Sequence, residues 1–492
     1  MLFFVREKFN VFISILFSIL LGMTFIGAIR SDNLLISNTT ARIFVVPVLI
    51  LIVFLLSRVN KLNYFFIKNS LFIGITCLLL VFIMQIYVTY KTHPAIGFDL
   101  WVFHHALFSK NLDVESTYFS RNQNNVLMLL IQHAYLGMVG IKNYWLKLDL
   151  LNIALIDFSV LINILTVFIY KKTYIVRAIW IHTIFLMFFP MILVPYSDTL
   201  VLPFVSLELL LFACIIHSKK LIVISIIYGM LLGFLTSFIY FIKPSAIIPV
   251  IAIIIMVILK VRKIGKKELL TTGLFLLMFI SVYITINAFV STQKYIQINE
   301  GDNTPPVHFI DIGMSGQTGG YDANSVIWMN KLKSPKQKKE YSINHIQQVL
   351  RERGFLGYVK FLISKQRYNT SDGTFGWLQE GNFIVASAKT RANVFKDYLY
   401  PDGKYLPDFR FLAQLLWVVA LGILLLGFEN KGLLEHTLRL GIIGGFVFLL
   451  LFEGGRSRYL IQFLPLLLVL LTLINFDGIT KLKKLYFILK KN

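Results

Sequence analysis

The sequence predicts an all-α, polytopic membrane protein, and three observations carry that prediction. Hydrophobic residues make up 57% of the 492 residues and charged residues only 15%, and the mean hydropathy is +0.73. Many apolar runs reach the roughly 20 residues that a helix needs to cross a hydrocarbon core of about 30 Å. Lysine and arginine collect in short connectors between these runs, as in cytoplasmic loops. An ordinary soluble domain is therefore excluded.

Twelve apolar runs have the length and composition of membrane-spanning helices. They lie near residues 10–29, 43–57, 70–90, 148–170, 175–195, 199–217, 221–241, 244–260, 268–290, 408–427, 433–452 and 459–476. The first run is longer than the apolar core of a signal peptide and lacks a small-residue cleavage site. We therefore expect it to remain in the protein as a membrane helix.

One further apolar segment, 125–141, decides the predicted topology. If it crossed the membrane, the basic connectors at 171–172 and 260–267 would lie outside, against the positive-inside rule. We predict instead that 125–141 is re-entrant or interfacial, that about 12 helices cross, and that both termini are cytoplasmic. Two outer segments result: 91–147, which contains interfacial helices, and 291–407, a large late extracellular loop.

The same pattern divides the chain into four parts. Residues 1–69 hold two additional N-terminal helices, and 70–290 form the main transmembrane module. Residues 291–407 are the only sizeable hydrophilic stretch, in which a short helix is predicted at 344–353. Residues 408–492 hold the last membrane helices and a basic cytoplasmic tail.

Several classes of function are disfavoured by what the sequence contains. The formal charge of +23 sits in the connectors rather than along a groove that could follow phosphates, so nucleic acid is not an expected partner. Both cysteines, Cys77 and Cys214, lie within apolar runs, so no disulfide framework or cysteine metal site is predicted. No Walker A loop, GxSxG or HExxH signature is present.

Four polar groups are predicted to meet at the outer membrane face. They are Asp99, Asp198, Lys243 in a turn between two spans, and the segment 453–458, which contains Glu453, Arg456 and Arg458. A carboxylate at the membrane boundary is costly to desolvate, and cations on the outer side usually have an anionic partner. This set suits sugar transfer from a lipid phosphate, because a carboxylate can deprotonate the acceptor and cations can neutralise the departing phosphate.

Each of these residues also has a simpler interpretation. Asp99 and Asp198 can cap the helices that follow them. Lys243 can extend its amine to the lipid headgroups, and Arg456 and Arg458 can bind lipid phosphate without specificity.

Additional candidates for substrate binding are more widely spread. His104 and His105 are adjacent and would point in different directions on a helix, so no metal site is predicted there. The other substrate-binding candidates are Asn125, Tyr196, His308, Tyr321 and Glu453. Within 291–407, the aromatic and polar residues that can contact sugars are Asp311, Tyr321, Asp322, Asp372, Trp377 and Glu380. Exposed polar residues in such a loop are more often structural.

The order of these motifs resembles the C-type integral-membrane glycosyltransferases, the GT-C superfamily of protein mannosyltransferases and the bacterial aminoarabinose transferase. The motifs are Asp99, Asn124-Asn125, Tyr196-Ser197-Asp198, Lys243-Pro244 and the turn from Glu453 to Tyr459. The chain looks most similar to uncharacterised Gram-positive members. The first two spans, and the lack of an acidic pair at Asp99, depart from the common pattern and leave a divalent metal open.

The resemblance implies a polyprenyl-phosphate sugar donor and transfer on the extracytoplasmic face with inversion at the anomeric carbon. It implies Asp99 as the catalytic base, Asp198 as a second site acid, and Lys243, Arg456 and Arg458 as binders of the donor phosphate. The implied acceptor is a cell-wall polymer, polysaccharide, glycolipid or protein. Two alternatives are a cell-surface polysaccharide polymerase or ligase, and a transporter or flippase of lipid-linked sugars.

Overall fold

The structure is a computed structural model. It describes residues 2–35, 48, 60–109, 113–217, 222–260, 265–380, 383–386, 393–427 and 432–474. The predicted span 43–57 lies outside these residues, apart from residue 48, and so does most of the basic tail.

Helices dominate the first half of the described chain, up to residue 242. Its elements are α1 (Leu2–Ile29), α2 (Asp32–Leu35), α3 (Asn60–Thr92), β1 (Ala95–Ile96), α4 (Phe98–Ala106), α5 (Asp113–Arg121), α6 (Val126–Val139), α7 (Tyr144–Lys171), α8 (Ile175–Met187), α9 (Ser197–Leu200), α10 (Leu202–His217) and α11 (Ile222–Ile242).

The second half continues the same architecture and adds the long hydrophilic segment 291–407. Its elements are α12 (Ile248–Lys260), α13 (Lys266–Thr292), α14 (Pro306–Met314), α15 (Ala323–Asn330), α16 (Pro335–Thr370), β2 (Ile384–Ala386), α17 (Val394–Leu399), α18 (Leu406–Leu426), α19 (Leu433–Leu451) and α20 (Leu464–Leu473). Short 3₁₀ turns occur at Gln123–Asn125, Lys172–Tyr174, Pro190–Leu193, Pro244–Ile247, Glu300–Asp302 and Ser457–Phe463.

The predicted all-α membrane class is confirmed. Eight segments of the described chain are long and apolar enough to cross a membrane: Glu7–Ile29, Phe65–Thr92, Tyr144–Met187, Ser197–His217, Val223–Ile242, Glu268–Thr292, Leu406–Leu426 and Leu433–Leu451. Two shorter apolar helices are Pro244–Leu259 and Ser457–Leu473. The count of about 12 crossings stays a prediction.

Proline explains why three predicted spans are shorter helices than expected. The run 175–195 ends as an α-helix at Met187, and Pro190 opens a 3₁₀ turn. Pro244 and Pro465 likewise stand at the starts of a 3₁₀ turn and of α20. Proline donates no backbone hydrogen bond and disfavours a helical residue before it, so it falls at helix starts.

Helix α6 corresponds to the segment predicted not to cross. It has 14 residues, which at 1.5 Å per residue is about 21 Å and shorter than a hydrocarbon core of about 30 Å. Its interfacial placement, and the sidedness of the whole chain, stay predictions.

Contacts between distant residues define the two ends of the helix bundle. The Lys171 amine donates to Glu435 at 2.9 Å, which places the end of α7 beside the start of α19. At the opposite end, Asn152 near the start of α7 donates to the carbonyl of Met191, just beyond α8, at 2.9 Å. Helices α7 and α8 are therefore antiparallel within the Tyr144–Met187 segment. We call the end with Asn152 the site end.

A small antiparallel sheet joins the segments 91–147 and 291–407 at the site end. Strand β1 pairs with β2, with Ala95 opposite Ala386 and Ile96 opposite Ile384. The Gly97 amide then donates to the Phe383 carbonyl at 2.8 Å. The backbone that leads into Asp99 is thus fixed by residues almost three hundred positions later.

Helix α16 is longer than the short helix predicted at 344–353. It begins after Ser334, whose side chain and Gln337 form a reciprocal capping box, and it bends at Gly354. Much of this helix is polar, so its sequence has little of the apolar periodicity that would indicate its full length.

Candidate functional site

Asp99 lies in the first turn of α4, after a strained residue. Phe98 has a φ of +44°, which is unfavourable for a side chain of this size. The Phe98 ring packs against the rings of Tyr196 and Phe383, with distances between ring centroids of 6.1 Å and 5.5 Å. The N-cap of α4 is Gly97, and no side chain makes a capping hydrogen bond there. Asp99 is therefore not the helix cap that the simpler interpretation expected.

The Asp99 carboxylate is hydrogen-bonded by a phenol. The Tyr196 hydroxyl donates to Oδ2 of Asp99 at 3.1 Å. Burial raises the pKa of Asp99 above its ordinary value, opposed by the positive charge of Arg458 and by the bond from Tyr196. A carboxylate with a raised pKa is a better proton acceptor near neutral pH than an ordinary aspartate.

Two more side chains adjoin this hydrogen bond. The Tyr118 phenol lies next to that of Tyr196 and accepts a hydrogen bond from the Asn125 amide at 2.9 Å. Burial, followed by the charge of Asp99, raises the pKa of both phenols well above 10, so both remain donors.

Asp198 occupies a different electrostatic setting from Asp99. Its Oδ1 accepts from the Lys243 amine at 2.6 Å and its Oδ2 from Nη1 of Arg458 at 3.1 Å. Both carboxylate oxygens are therefore engaged by cations. The carboxylate makes these ion pairs rather than capping a helix, and Lys243 contacts it rather than extending to lipid.

Glu380 completes an ion-pair network around the two arginines. It forms salt bridges with Nε of Arg458 and Nη1 of Arg456, each at 2.8 Å. The Arg458 side chain is 3% exposed and lies between two carboxylates, whereas that of Arg456 is 32% exposed. Arg456 and Lys243 are thus better placed than Arg458 to meet an incoming anion.

Three aromatic rings enclose the Arg458 guanidinium. Its central carbon lies 4.9 Å from the ring centroid of Phe98, 5.2 Å from that of Tyr196 and 5.0 Å from that of Tyr459. Such cation–π contacts stabilise a desolvated arginine. They also join Phe98, and therefore the start of α4, to the last membrane helices.

Glu453 borders the network on the side of the outer segment. It accepts from the Tyr459 hydroxyl at 3.3 Å, and burial raises its pKa to about 6. The Tyr321 side chain is exposed overall, although its phenol is partly buried. This partial burial, followed by the charges of Glu453 and Asp99, raises the pKa of the phenol. Tyr321 is therefore close enough to the site to feel its charges and is accessible from solvent.

A buried lysine fixes the turn that carries Glu453. Lys365 donates to the carbonyls of Gly313 at 2.5 Å, Leu450 at 3.1 Å and Phe452 at 2.6 Å. Burial lowers its pKa to about 7. The Gly454 amide donates to Gly319 at 3.0 Å. The glycine-rich segment 313–320 is thus joined to this turn, which the sequence analysis did not predict.

The two adjacent histidines do not act together. His104 is buried, stacks on Trp145 with centroids 3.6 Å apart, and has no hydrogen bond to either ring nitrogen. Burial lowers the pKa of His104 to about 3. His105 is exposed and lies 3.5 Å from Glu115. They point in different directions, as the helical spacing requires.

The remaining candidates in the outer segment have structural surroundings. His308 is buried and contacts Asp311, whose other oxygen lies 2.6 Å from His345. Asp322 caps α15, and Trp377 is fully buried.

Asp372 is also engaged within the protein. Its carboxylate accepts hydrogen bonds from Asn33, Thr374, Gly376 and Gln379 and so holds the following turn. Among the candidates named from 291–407, Glu380 contacts the network directly and Tyr321 lies near it.

No group of three His, Cys, Asp or Glu side chains within the described part of the chain is arranged to hold a metal ion. The site offers instead one carboxylate bonded by a phenol, beside cations that are balanced by two other carboxylates. Such a site can accept a proton at Asp99 and bind an anion at its more exposed cations.

The fold and the site define a polytopic, helical integral membrane protein with a charged site at one end of its bundle. A family model described as "Conserved hypothetical integral membrane protein" matches residues 5–478. The chain belongs to this family. Searches of curated proteins and of solved structures give no match.

Proposed function

We propose that this protein is a membrane glycosyltransferase that moves a sugar from a polyprenyl-phosphate donor to an extracytoplasmic acceptor. The observation that carries the proposal is the contrast between two neighbouring acids. Asp198 is engaged by Lys243 and Arg458, whereas Asp99 accepts from the neutral phenol of Tyr196. A general base needs the second kind of environment.

In the proposed reaction, an acceptor hydroxyl attacks the anomeric carbon while its proton passes to Asp99. The new bond joins the acceptor oxygen to that carbon, and the bond from the carbon to the phosphate oxygen breaks. The electron pair leaves with the lipid phosphate, and attack from the opposite face inverts the anomeric carbon. Arg456 and Lys243, the more exposed cations, neutralise the leaving phosphate.

Arg458 has a positioning role in this proposal. Its Nη1 and Nε are engaged by Asp198 and Glu380, and its guanidinium is surrounded by aromatic rings. It therefore orients the acids and Phe98 rather than serving as the first contact of the phosphate. An approaching phosphate would compete with Glu380 for Arg456.

The proposed partners are the lipid-linked donor, a glycan or cell-wall polymer as acceptor, and membrane lipids. The protein would be a multi-pass protein of the cell membrane, with the site facing outward and both termini in the cytoplasm. The basic connectors support this orientation through the positive-inside rule.

The test is transfer by the purified chain in liposomes that contain labelled polyprenyl-phosphate sugars and candidate acceptors. Asp99→Asn should lower transfer by about 10²- to 10⁴-fold, the usual contribution of a general base. Asp402→Asn makes the same chemical change at an exposed turn and should leave transfer unchanged. Wild-type transfer by Asp99→Asn would remove Asp99 as the base. Transfer of a preassembled oligosaccharide would instead identify a polymerase or ligase.

One observation favours a transporter as the second candidate. Asp149 in α7 and Glu208 in α10 are fully buried within membrane segments. Neither carboxylate oxygen of Asp149 has a hydrogen-bond partner, nor does Oε2 of Glu208. Ionisable side chains inside a membrane often mark a transport pathway. Movement of labelled lipid-linked sugar across liposomes without a new glycosidic bond, lost in Glu208→Gln, would establish this alternative.

A further inference from the structure

Helix α16 changes direction at one residue. Gly354 has a φ of +59° and a ψ of 176°, so the helix divides there into two arms. A residue with a side chain rarely adopts this conformation, which glycine tolerates. We call residues 355–370 the second arm. At 1.5 Å per residue it is about 24 Å long.

The C-terminal end of the second arm is anchored to the tips of two membrane helices. Thr370 shares a hydrogen bond of 2.8 Å with Thr24 of α1. Asn369 donates to the Leu449 carbonyl of α19 at 2.9 Å, and Lys365 donates to the Leu450 carbonyl. The C-terminal end of the second arm therefore lies beside the ends of α1 and α19.

The face of the second arm that carries Gln366 and Thr370, which contact Thr24 of α1, continues toward Gly354 as an exposed apolar stripe. Its members are Phe355 at 83% exposure, Leu356 at 73%, Ile363 at 48% and Val359 at 38%. Positions 355, 359 and 363 are four residues apart and so lie above one another on the helix, with 356 beside them. A continuous stripe of this kind is unusual on a surface in contact with water and marks an interaction site.

The surroundings of the stripe indicate what covers it. Ile26 and Ile29 at the end of α1, and Leu451 at the end of α19, are also exposed apolar side chains on membrane-spanning segments. Arg367, one turn beyond Ile363, donates to the carbonyl of Arg30 just after α1 at 3.4 Å, so the stripe continues from the end of this helix. Lys360 and Arg367 are exposed along one edge of it, where they can meet lipid phosphates.

We propose that the second arm lies in the membrane interface, with its apolar stripe among the acyl chains and its cations on the phosphates of anionic lipids. The bend at Gly354 turns the helix out of the aqueous outer segment and onto the bilayer. This membrane-surface anchor does not depend on the reaction catalysed at the site. It would hold α16, and through Lys365 the turn with Glu453, at a fixed height above the membrane.

The test is a spin label at position 356 in the full-length protein, reconstituted in vesicles of phosphatidylglycerol and phosphatidylcholine. Leu356→Cys is made in a Cys77→Ala, Cys214→Ala background, and the accessibility of the label to oxygen and to a water-soluble nickel complex is measured. Lys336→Cys, on the first arm at 87% exposure, is the aqueous control. Leu277→Cys, exposed on the membrane helix α13, is the lipid control.

Membrane insertion predicts a ratio of oxygen to nickel accessibility at position 356 that is shifted toward the value at 277. A ratio equal to that at 336 would overturn the proposal. Lys360→Glu should move the label at 356 toward the aqueous value in vesicles rich in phosphatidylglycerol and less so in pure phosphatidylcholine. An equal effect in both lipids would refute the role of anionic headgroups.

Discussion

Arg458 is the residue whose loss should most damage the ion-pair network, and Arg458→Met tests this directly. Methionine keeps much of the side-chain length but removes the charge. Asp198 would retain Lys243, whereas Glu380 would keep Arg456 alone as its cation. Arg458 also offsets the charge of Asp99, so its loss leaves three acids, Asp99, Asp198 and Glu380, with only two cations. Leaving a buried charge uncompensated costs about 3–5 kcal/mol.

The expected change in thermal stability follows from the size of the chain. At about 2.1 cal/mol/K per residue, the 492 residues give an unfolding entropy of about 1 kcal/mol/K. A loss of about 3–5 kcal/mol therefore lowers the Tm by about 3–5 °C. Arg456→Met is the matched control, since Arg456 shares Glu380 but is partly exposed, and its loss should lower the Tm by about 1 °C or less.

Tryptophan fluorescence during heating in detergent measures both variants at the same scan rate. We expect Arg458→Met to melt clearly below Arg456→Met. Equal shifts for the two variants would show that burial between two carboxylates does not make Arg458 more important for stability than Arg456.

Three other predictions concern the acids and the topology. Tyr196→Phe removes a hydrogen bond that stabilises ionised Asp99, so the pKa of Asp99 should rise further. The acidic limb of the pH profile of transfer should then move to higher pH. An unchanged acidic limb would show that this hydrogen bond does not stabilise ionised Asp99. Burial raises the pKa of Glu453 from 4.5 to about 6, so the folded protein loses stability as pH rises through that range. Between pH 4.5 and 7, the free energy of unfolding of Glu453→Gln should therefore increase relative to that of the wild-type protein, by up to about 2 kcal/mol. A difference in Tm between the two proteins that stays constant over this pH range would refute this. In cells, Lys266→Cys should resist a membrane-impermeant thiol reagent while Lys336→Cys reacts, and the reverse pattern would invert the topology.

Most of the helices could be predicted from the sequence because membrane helices require long apolar runs. The runs at 148–170, 408–427 and 433–452 each correspond to a helix with nearly the predicted bounds, whereas the helix predicted at 10–29 begins at Leu2. The length of α16 was missed, because this largely polar helix has no long apolar run. Its start was marked by Ser334 and Gln337, a capping pair visible in the sequence.

The site was only partly predictable. The predicted topology puts Lys243 and Arg458 outside, where the positive-inside rule disfavours cations, and this singled them out. Both contact Asp198, which supplies the anionic partner that such cations need. The role of Glu380 as a shared partner was not predicted, because loop residues show no periodicity and their pairing depends on the fold. Tyr118 was missed for the same reason, since nothing local distinguishes a tyrosine that bonds another side chain.

The separation of Asp198 and Arg458 by 260 residues affects how the protein is made. At about 5–20 residues per second, a ribosome needs roughly 13–52 s to add Arg458 after Asp198. Lys243 is only 45 residues after Asp198 and follows within about 2–9 s at the same rate. During biosynthesis Lys243 can therefore pair with Asp198 first. Arg458 is added later, with the last helices, and becomes the second cation on the same carboxylate.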